Sequence, residues 1–165
     1  QQQMVKKYLG ITANLPPAAA GIIEAPIARK EGSIIERCIS ESGKYARTDY
    51  KVLYTNKNMS LVEFTLHTGR THQIRVHMQW KGHPLFGDER YGGDRILKGT
   101  TFNKYKQFIE NCFAAMPRQA LHAKSLGFQH PTTGEQVYFE SELPEDFRTV
   151  LAKWDAYAAA GLAEE

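Results

Sequence analysis

The stretch from His67 to Gly93, HTGRTHQIRVHMQWKGHPLFGDERYGG, gathers four histidines, three arginines and an aspartate among several glycines. Three kinds of chemistry suit such a set. A metal site would draw on His72, His77, His83 and Asp88. Helical ligands share a face only at spacings of three or four, however, and five residues separate His72 from His77, a rotation of roughly 140° on an ideal helix. The chain also has no CxxC and no HExxH, so the expectation is no metal. A phosphate cradle would use Thr68-Gly69-Arg70-Thr71, because glycine takes backbone angles other residues avoid and a helix start offers free N–H groups. The stretch is neither GxxxxGK[ST] nor GxGxxG, so a nucleotide triphosphate is not expected. Contact with a nucleic-acid phosphate through Arg70 and His72 stays open. The third reading is a partly buried arginine. Arg75 follows His72 by three residues and is flanked by Ile74, Val76 and Met78. An arginine in such surroundings calls for a carboxylate or phosphate partner, and an ordinary salt bridge to another segment would satisfy it.

The elements that must position these residues follow from periodicity. Met4 to Thr12 reads as a strand. Thr48 to Tyr54 alternates, with Tyr50, Val52 and Tyr54 on one face, and Met59 to His67 alternates again, with Val62, Phe64 and Leu66 together. The turn at Thr55–Asn58 makes the two an antiparallel hairpin. Thr71 to Trp80 turns helical and Gly82 is its stop. Gly82 to Gly93 is a loop. Asn103 to Ala115 predicts a helix with Tyr105, Phe108, Ile109, Cys112 and Phe113 on one side. Ala120–His130 and Glu135–Ser141 predict a second hairpin. From Pro144 a last helix carries Phe147, Val150, Leu151 and Trp154 at core spacing. Lys30 to Lys44 reads as polar and irregular. The expected class is α+β, a largely antiparallel sheet with packed helices, in one domain spanning residues 1–165.

Of the 165 residues, 1–130 carry 19 Lys and Arg against 10 Asp and Glu, and 131–165 carry 2 against 8. The body is therefore basic (19 − 10 = +9) and the tail acidic (2 − 8 = −6). A basic body is an electrostatic footprint for nucleic acid or simply a solvated surface. No apolar run is long enough for a bilayer and no signal-peptide pattern stands at the start. Cys38 and Cys112 lie too far apart to suggest a disulfide framework and fit a reducing cytoplasm. The chain begins with Gln rather than Met, which reads as a fragment.

Several segments in order resemble the RluA-type pseudouridine synthases. Lys6-Lys7-Tyr8 resembles that family's lysine–tyrosine motif, and Ala25 to Arg29 (APIAR) the segment after it. Gly43 to Leu53 (GKYARTDYKVL) resembles the next. The His67–Gly93 stretch resembles the family signature, and Arg118 to Glu135 the C-terminal strand pair. The resemblance covers nearly the whole chain. It implies isomerisation of uridines in ribosomal or transfer RNA, without metal or cofactor, in the cytoplasm. It implies that Tyr8 is the active-site tyrosine lying against the target base and that Arg75 ion-pairs with a catalytic aspartate, keeping it ionised. The target base leaves the stack to reach the pocket. Lys7 of that motif, with Arg70, His72, Arg90 and Tyr91, becomes a candidate for holding the RNA strand.

The family's aspartate sits in a motif resembling HRLDxxTSG, upstream of the lysine–tyrosine motif, and these residues contain nothing like it. Asp49, Asp88, Asp94, Asp146 and Asp155 lie in other contexts, with Asp88 in the family's loop position, read as a structural residue. The chain is thus expected to be the later portion of a catalytic domain, inactive by itself, with self-association through an exposed sheet edge. Two other functions compete. One is a non-catalytic RNA-binding module on the same fold. The other is a metal-dependent hydrolase using His72, His77 and Asp88.

Overall fold

The computed structural model describes residues 4–12, 19–56, 59–94 and 103–159. Its centre is a six-stranded antiparallel sheet in the order β2-β5-β6-β1-β7-β8. The strands are β1 (Val5–Thr12), β2 (Ala20–Glu24), β5 (Arg47–Asn56), β6 (Met59–Leu66), β7 (Leu121–Gln129) and β8 (Gln136–Glu140). A small second sheet pairs β3 (Ile27–Arg29) with β4 (Arg37–Ile39). The helices are α1 (Gln73–Trp80), α2 (Asn103–Ala115) and α3 (Glu145–Ala159).

Period-two alternation sends neighbouring residues of a strand to opposite faces, and β1 shows the consequence. Leu9 and Ile11 join Met59, Ile109, Cys112, Phe147, Val150 and Trp154 in the core under α2 and α3. Tyr8 packs on the other face with Val62, Phe64, Ile74 and Met78, where α1 lies. Helices therefore cover both sides of the sheet. α1 also rests Val76 on the small sheet, in a cluster with Ile27, Ala46 and Tyr91. Successive helical side chains diverge by about 100°, so Ile74 and Val76 anchor α1 to two different sheets and Arg75 is aimed away from both.

Two expectations change. Tyr54 does not share a face with Tyr50 and Val52. The β5–β6 register runs Val52↔Val62 and then Tyr54↔Leu61, so Leu53 is an extra residue in a bulge, and a bulge turns every later side chain over. Tyr54 faces α3 instead, where its hydroxyl donates to Asp155. Lys30–Lys44 is not wholly irregular, because it contains β4. Three-residue strands carry too few alternations to be seen in sequence. The turn at Thr55–Asn58 lies partly, and the side chain of Tyr105 wholly, outside the described residues.

The loop after α1 is sewn into the sheet ends. Phe86 N–H donates to Ile11 O (2.7 Å) and Phe86 O accepts from Ala120 N–H (2.8 Å). Gly87, at φ +79°, lies so close to the chain before β7 that a Cβ would stand 2.4 Å from Arg118 O. Among the described residues no helix is long and apolar enough to cross a membrane.

Candidate active site

Arg75 leaves α1 toward the loop of residues 81–93, where Asp88 meets it. Nε and Nη2 each donate to one carboxylate oxygen at 2.9 Å. The Asp88 side chain is fully buried and that of Arg75 is 15% exposed. The loop is built around this carboxylate: Asp88 Oδ1 also accepts from Tyr91 N–H (3.3 Å), and Asp88 O accepts from Gly93 N–H (2.7 Å). The Tyr91 ring lies over the guanidinium, 4.9 Å from Cζ to centroid, a cation–π contact. Edge and face of Arg75 are thereby both fixed. The arginine expected to await an absent aspartate already has a partner in this chain. A bidentate, buried carboxylate is also unreachable by substrate, so Asp88 is no nucleophile.

His72 stands at the start of α1 with φ 55° and ψ 25°, the only left-handed non-glycine residue among those described. That geometry costs about 1–2 kcal/mol relative to the right-handed one. It aims the ring back at Tyr91, placing Nδ1 2.7 Å from the tyrosine hydroxyl. The hydroxyl also accepts from Arg37 N–H at 3.0 Å. Burial, then the charges of Arg75 and Arg37, push the His72 pKa down, so the ring is neutral near pH 7. The Tyr91 hydroxyl therefore donates to Nδ1 as acceptor, which leaves Nε2–H as a donor. Burial raises the Tyr91 pKa, keeping the phenol protonated.

Beneath them runs a closed polar chain. Gln73 Nε2 donates to Arg47 O (2.9 Å) and Thr48 Oγ1 (2.8 Å), while Gln73 Oε1 accepts from Thr68 Oγ1 (2.7 Å) and Arg70 N–H (3.1 Å). Thr48 Oγ1 lies 2.8 Å from His77 Nδ1, and His77 Nε2 lies 3.0 Å from Ala25 O. The carbonyl can only accept, so Nε2 carries the proton and Nδ1 accepts from Thr48. Both nitrogens of this buried ring are occupied, and burial holds its pKa low. No three His, Cys, Asp or Glu side chains converge among the described residues. His77 and Asp88 thus have other work than the proposed hydrolase metal.

The remaining sequence candidates divide. Tyr8 is half-buried on the α1 side of β1. Lys7 points to the opposite face and pairs with Glu63 (3.5 Å), which also takes Lys124 (2.9 Å). Strand alternation thus sets Lys7, a candidate for holding the RNA, on the face of the sheet away from Tyr8. Tyr91 is corrected too. At 1% exposure it packs behind the site and cannot hold a strand. Arg90 reaches toward Glu36 (3.6 Å) and lines a cleft of about 530 Å³ with Arg75 and Arg118. Arg70 donates from Nε to Tyr45 O (2.7 Å) and lines a second cleft of about 500 Å³. That cleft adds Arg29, Arg37 and Lys44, which sequence reasoning missed because only the β3–β4 pairing brings them together.

The sequence pattern of the RNA pseudouridylate synthases matches residues 1–80. An uncharacterized RNA pseudouridine synthase of Chlorobaculum parvum is 44% identical over 92% of this chain and 47% of its own length. The ribosomal large subunit pseudouridine synthase D of Vibrio cholerae is 42% identical over 78% of this chain and 38% of its own length. The chain thus spans about half the length, or less, of the curated relatives it matches. Among solved structures, human RNA Pseudouridylate Synthase Domain Containing 4 superposes with a TM-score of 0.69 at 26% identity, covering 92% of this chain and 62% of that one. Sequence pattern, relatives and fold agree: the chain belongs to the RluA-type RNA pseudouridine synthase family.

Proposed function

We propose that the protein carrying this chain is an RNA pseudouridine synthase, converting uridines of ribosomal or transfer RNA to pseudouridine in the cytoplasm. In that reaction the C1′–N1 bond breaks, a C1′–C5 bond forms, C5 loses its hydrogen as a proton, and N1 regains one. The change is redox-neutral and calls for no cofactor. The observation that carries the reading is the fixed guanidinium of Arg75. Asp88 takes Nε and Nη2, and Tyr91 covers a ring-sized face. The Nη1 edge makes no hydrogen bond among the described residues. That edge is the one we assign to the catalytic carboxylate of the HRLDxxTSG-like segment. A prepositioned cation keeps such a carboxylate ionised and spends no free energy on reorganisation when charge develops. In this reading Tyr8, on the face that α1 covers, lies against the flipped base. Arg70, His72 and Arg90 lie on the polar side of the same helix and loop and contact the RNA strand.

Residues 1–165 are the later portion of the catalytic domain in this reading. Its edge strand β8 exposes Tyr138 (62%) and Phe139 (59%), and unpaired edges recruit further strands. Sedimentation of the isolated chain is expected to show self-association.

The test is tritium release from RNA carrying 5-tritiated uridine, with the chain alone and with a chain extended by the aspartate-bearing segment. Release is expected from the extended chain only, and Arg75→Ala abolishes it. RNA binding without release from the extended chain would instead make this a non-catalytic RNA-binding module.

A further inference from the structure

We propose that the cleft between the β3–β4 hairpin and the Gly69–Thr71 turn binds the phosphate backbone of the RNA strand beside the target uridine, through Arg29, Arg37, Lys44 and Arg70. The inference rests on the RNA reading of the neighbouring site.

The first observation is charge. Four of the ten residues lining the cleft are Lys or Arg and none is acidic. Glu36, the nearby carboxylate on the strand approach, lines the other cleft and is engaged by Lys30 (3.2 Å) and Arg90 (3.6 Å). The second is register. Arg29 and Arg37 are direct cross-strand partners in the β3–β4 pair. Like charges placed opposite each other destabilise a strand pair, and this two-stranded sheet has only three such pairs. An anion between them turns that repulsion into attraction.

The third is construction. Ile27 and Lys44 exchange two backbone hydrogen bonds of 2.9 Å. Gly43 permits this approach, since a Cβ there would stand 2.5 Å from the Ile27 carbonyl carbon. Lys44 is thus held against the strand that carries Arg29. Arg37 Nη1 is anchored by the carbonyls of Ile34, Ile35 and Glu36, and Arg70 by Tyr45 O. Ser42 and Thr71 add neutral hydroxyls to the lining. The fourth is continuity. Arg37 N–H donates to the Tyr91 hydroxyl, and the Tyr91 ring lies on Arg75. One residue therefore joins the cleft to the centre where the base reacts. An open trough whose cations lie along its walls fits a continuous backbone better than one enclosed anion.

Binding of a fluorescein-labelled, uridine-containing single-stranded RNA to the 165-residue chain, followed by anisotropy across a potassium chloride series, tests this. Each phosphate contact contributes about 0.7 to the slope of log affinity against log salt for single strands. Arg29→Gln with Lys44→Gln is expected to weaken binding and flatten the slope by about 1.4. Lys153→Gln, at an exposed position of α3, changes it little. Both changed side chains are exposed, and an unaltered thermal melt verifies folding. A slope equal to that of the unchanged protein, with RNA still bound, overturns the cleft and leaves the RNA reading intact. No RNA binding by the unchanged protein at low salt overturns both. Displacement of RNA by inorganic phosphate beyond that by chloride of equal ionic strength assigns the cleft to a small free anion instead.

Discussion

Arg75 and Asp88 stand thirteen residues apart and meet through two parallel 2.9 Å hydrogen bonds, with the carboxylate wholly buried. The pair ties α1 to the loop that follows it and fixes the guanidinium before any substrate arrives. Removing one member of a buried pair leaves an uncompensated charge, at a cost of about 3–5 kcal/mol. Asp88→Asn is expected to cost at the lower end, about 3 kcal/mol, because the amide oxygen still accepts one bond. Arg75→Lys is expected to cost comparably, since an ammonium cannot reproduce the fork. Urea denaturation of both variants and the double variant measures the coupling, and single-variant losses below about 0.5 kcal/mol would mark the pair as merely superficial.

Two glycines in the same loop separate backbone conformation from space. Gly82 (φ +85°) has nothing within 4 Å of a built Cβ, whereas Gly87 (φ +79°) would place one 2.4 Å from Arg118 O. Gly82→Ala is expected to cost about 1 kcal/mol, the left-handed penalty alone. Gly87→Ala adds a collision with backbone and is expected to lower the melting temperature several times further. Equal shifts in the two melts would mean that the 81–93 loop is not held against the start of β7.

His77 makes stability depend on pH. Its folded-state pKa lies below the ordinary histidine value because of burial, so the unfolded chain binds the proton first. Stability is therefore full above pH ~6.5 and falls as pH drops below it, by up to about 1.4 kcal/mol per unit until the folded pKa is reached. His72 adds to the same slope, with burial and the charges of Arg75 and Arg37 as causes. Asp49, lowered chiefly by its hydrogen bond with Arg47, contributes only near and below the ordinary carboxylate range. Denaturation between pH 5 and 6.5 thus isolates the histidines. His77→Gln is expected to flatten that slope, and an unchanged slope would remove His77 from the account.

The two thiols should differ in reactivity. Burial pushes Cys112 up to about 12, and it lies inside the α2–α3 core. Cys38 is only half-buried. A thiolate-specific reagent is expected to modify one thiol in the folded chain and the second only at the rate of unfolding. Rapid modification of both would show that the core beneath α2 opens readily.

Features that depend on local repetition were legible in the chain before folding. The strands Thr48–Tyr54 and Met59–His67, the helix from Thr71 and the apolar stripe Phe147-Val150-Leu151-Trp154 are legible because period two or 3.6 places their apolar side chains on one face. The resemblance of the His67–Gly93 stretch and of four other segments was likewise a matter of residue order, and it led to the family. Only tertiary structure decided which partners those residues have. The bulge at Leu53 turned Tyr54 to the α3 face, strand alternation parted Lys7 from Tyr8, and Tyr91 became a buried support rather than a surface contact. Asp88 as the partner of Arg75, and the Arg29–Arg37 juxtaposition, depend on chain reversals that periodicity does not encode. A hydrogen bond or ion pair acts through space at about 3 Å, and the separation of two residues along the chain says little about whether folding brings them that close.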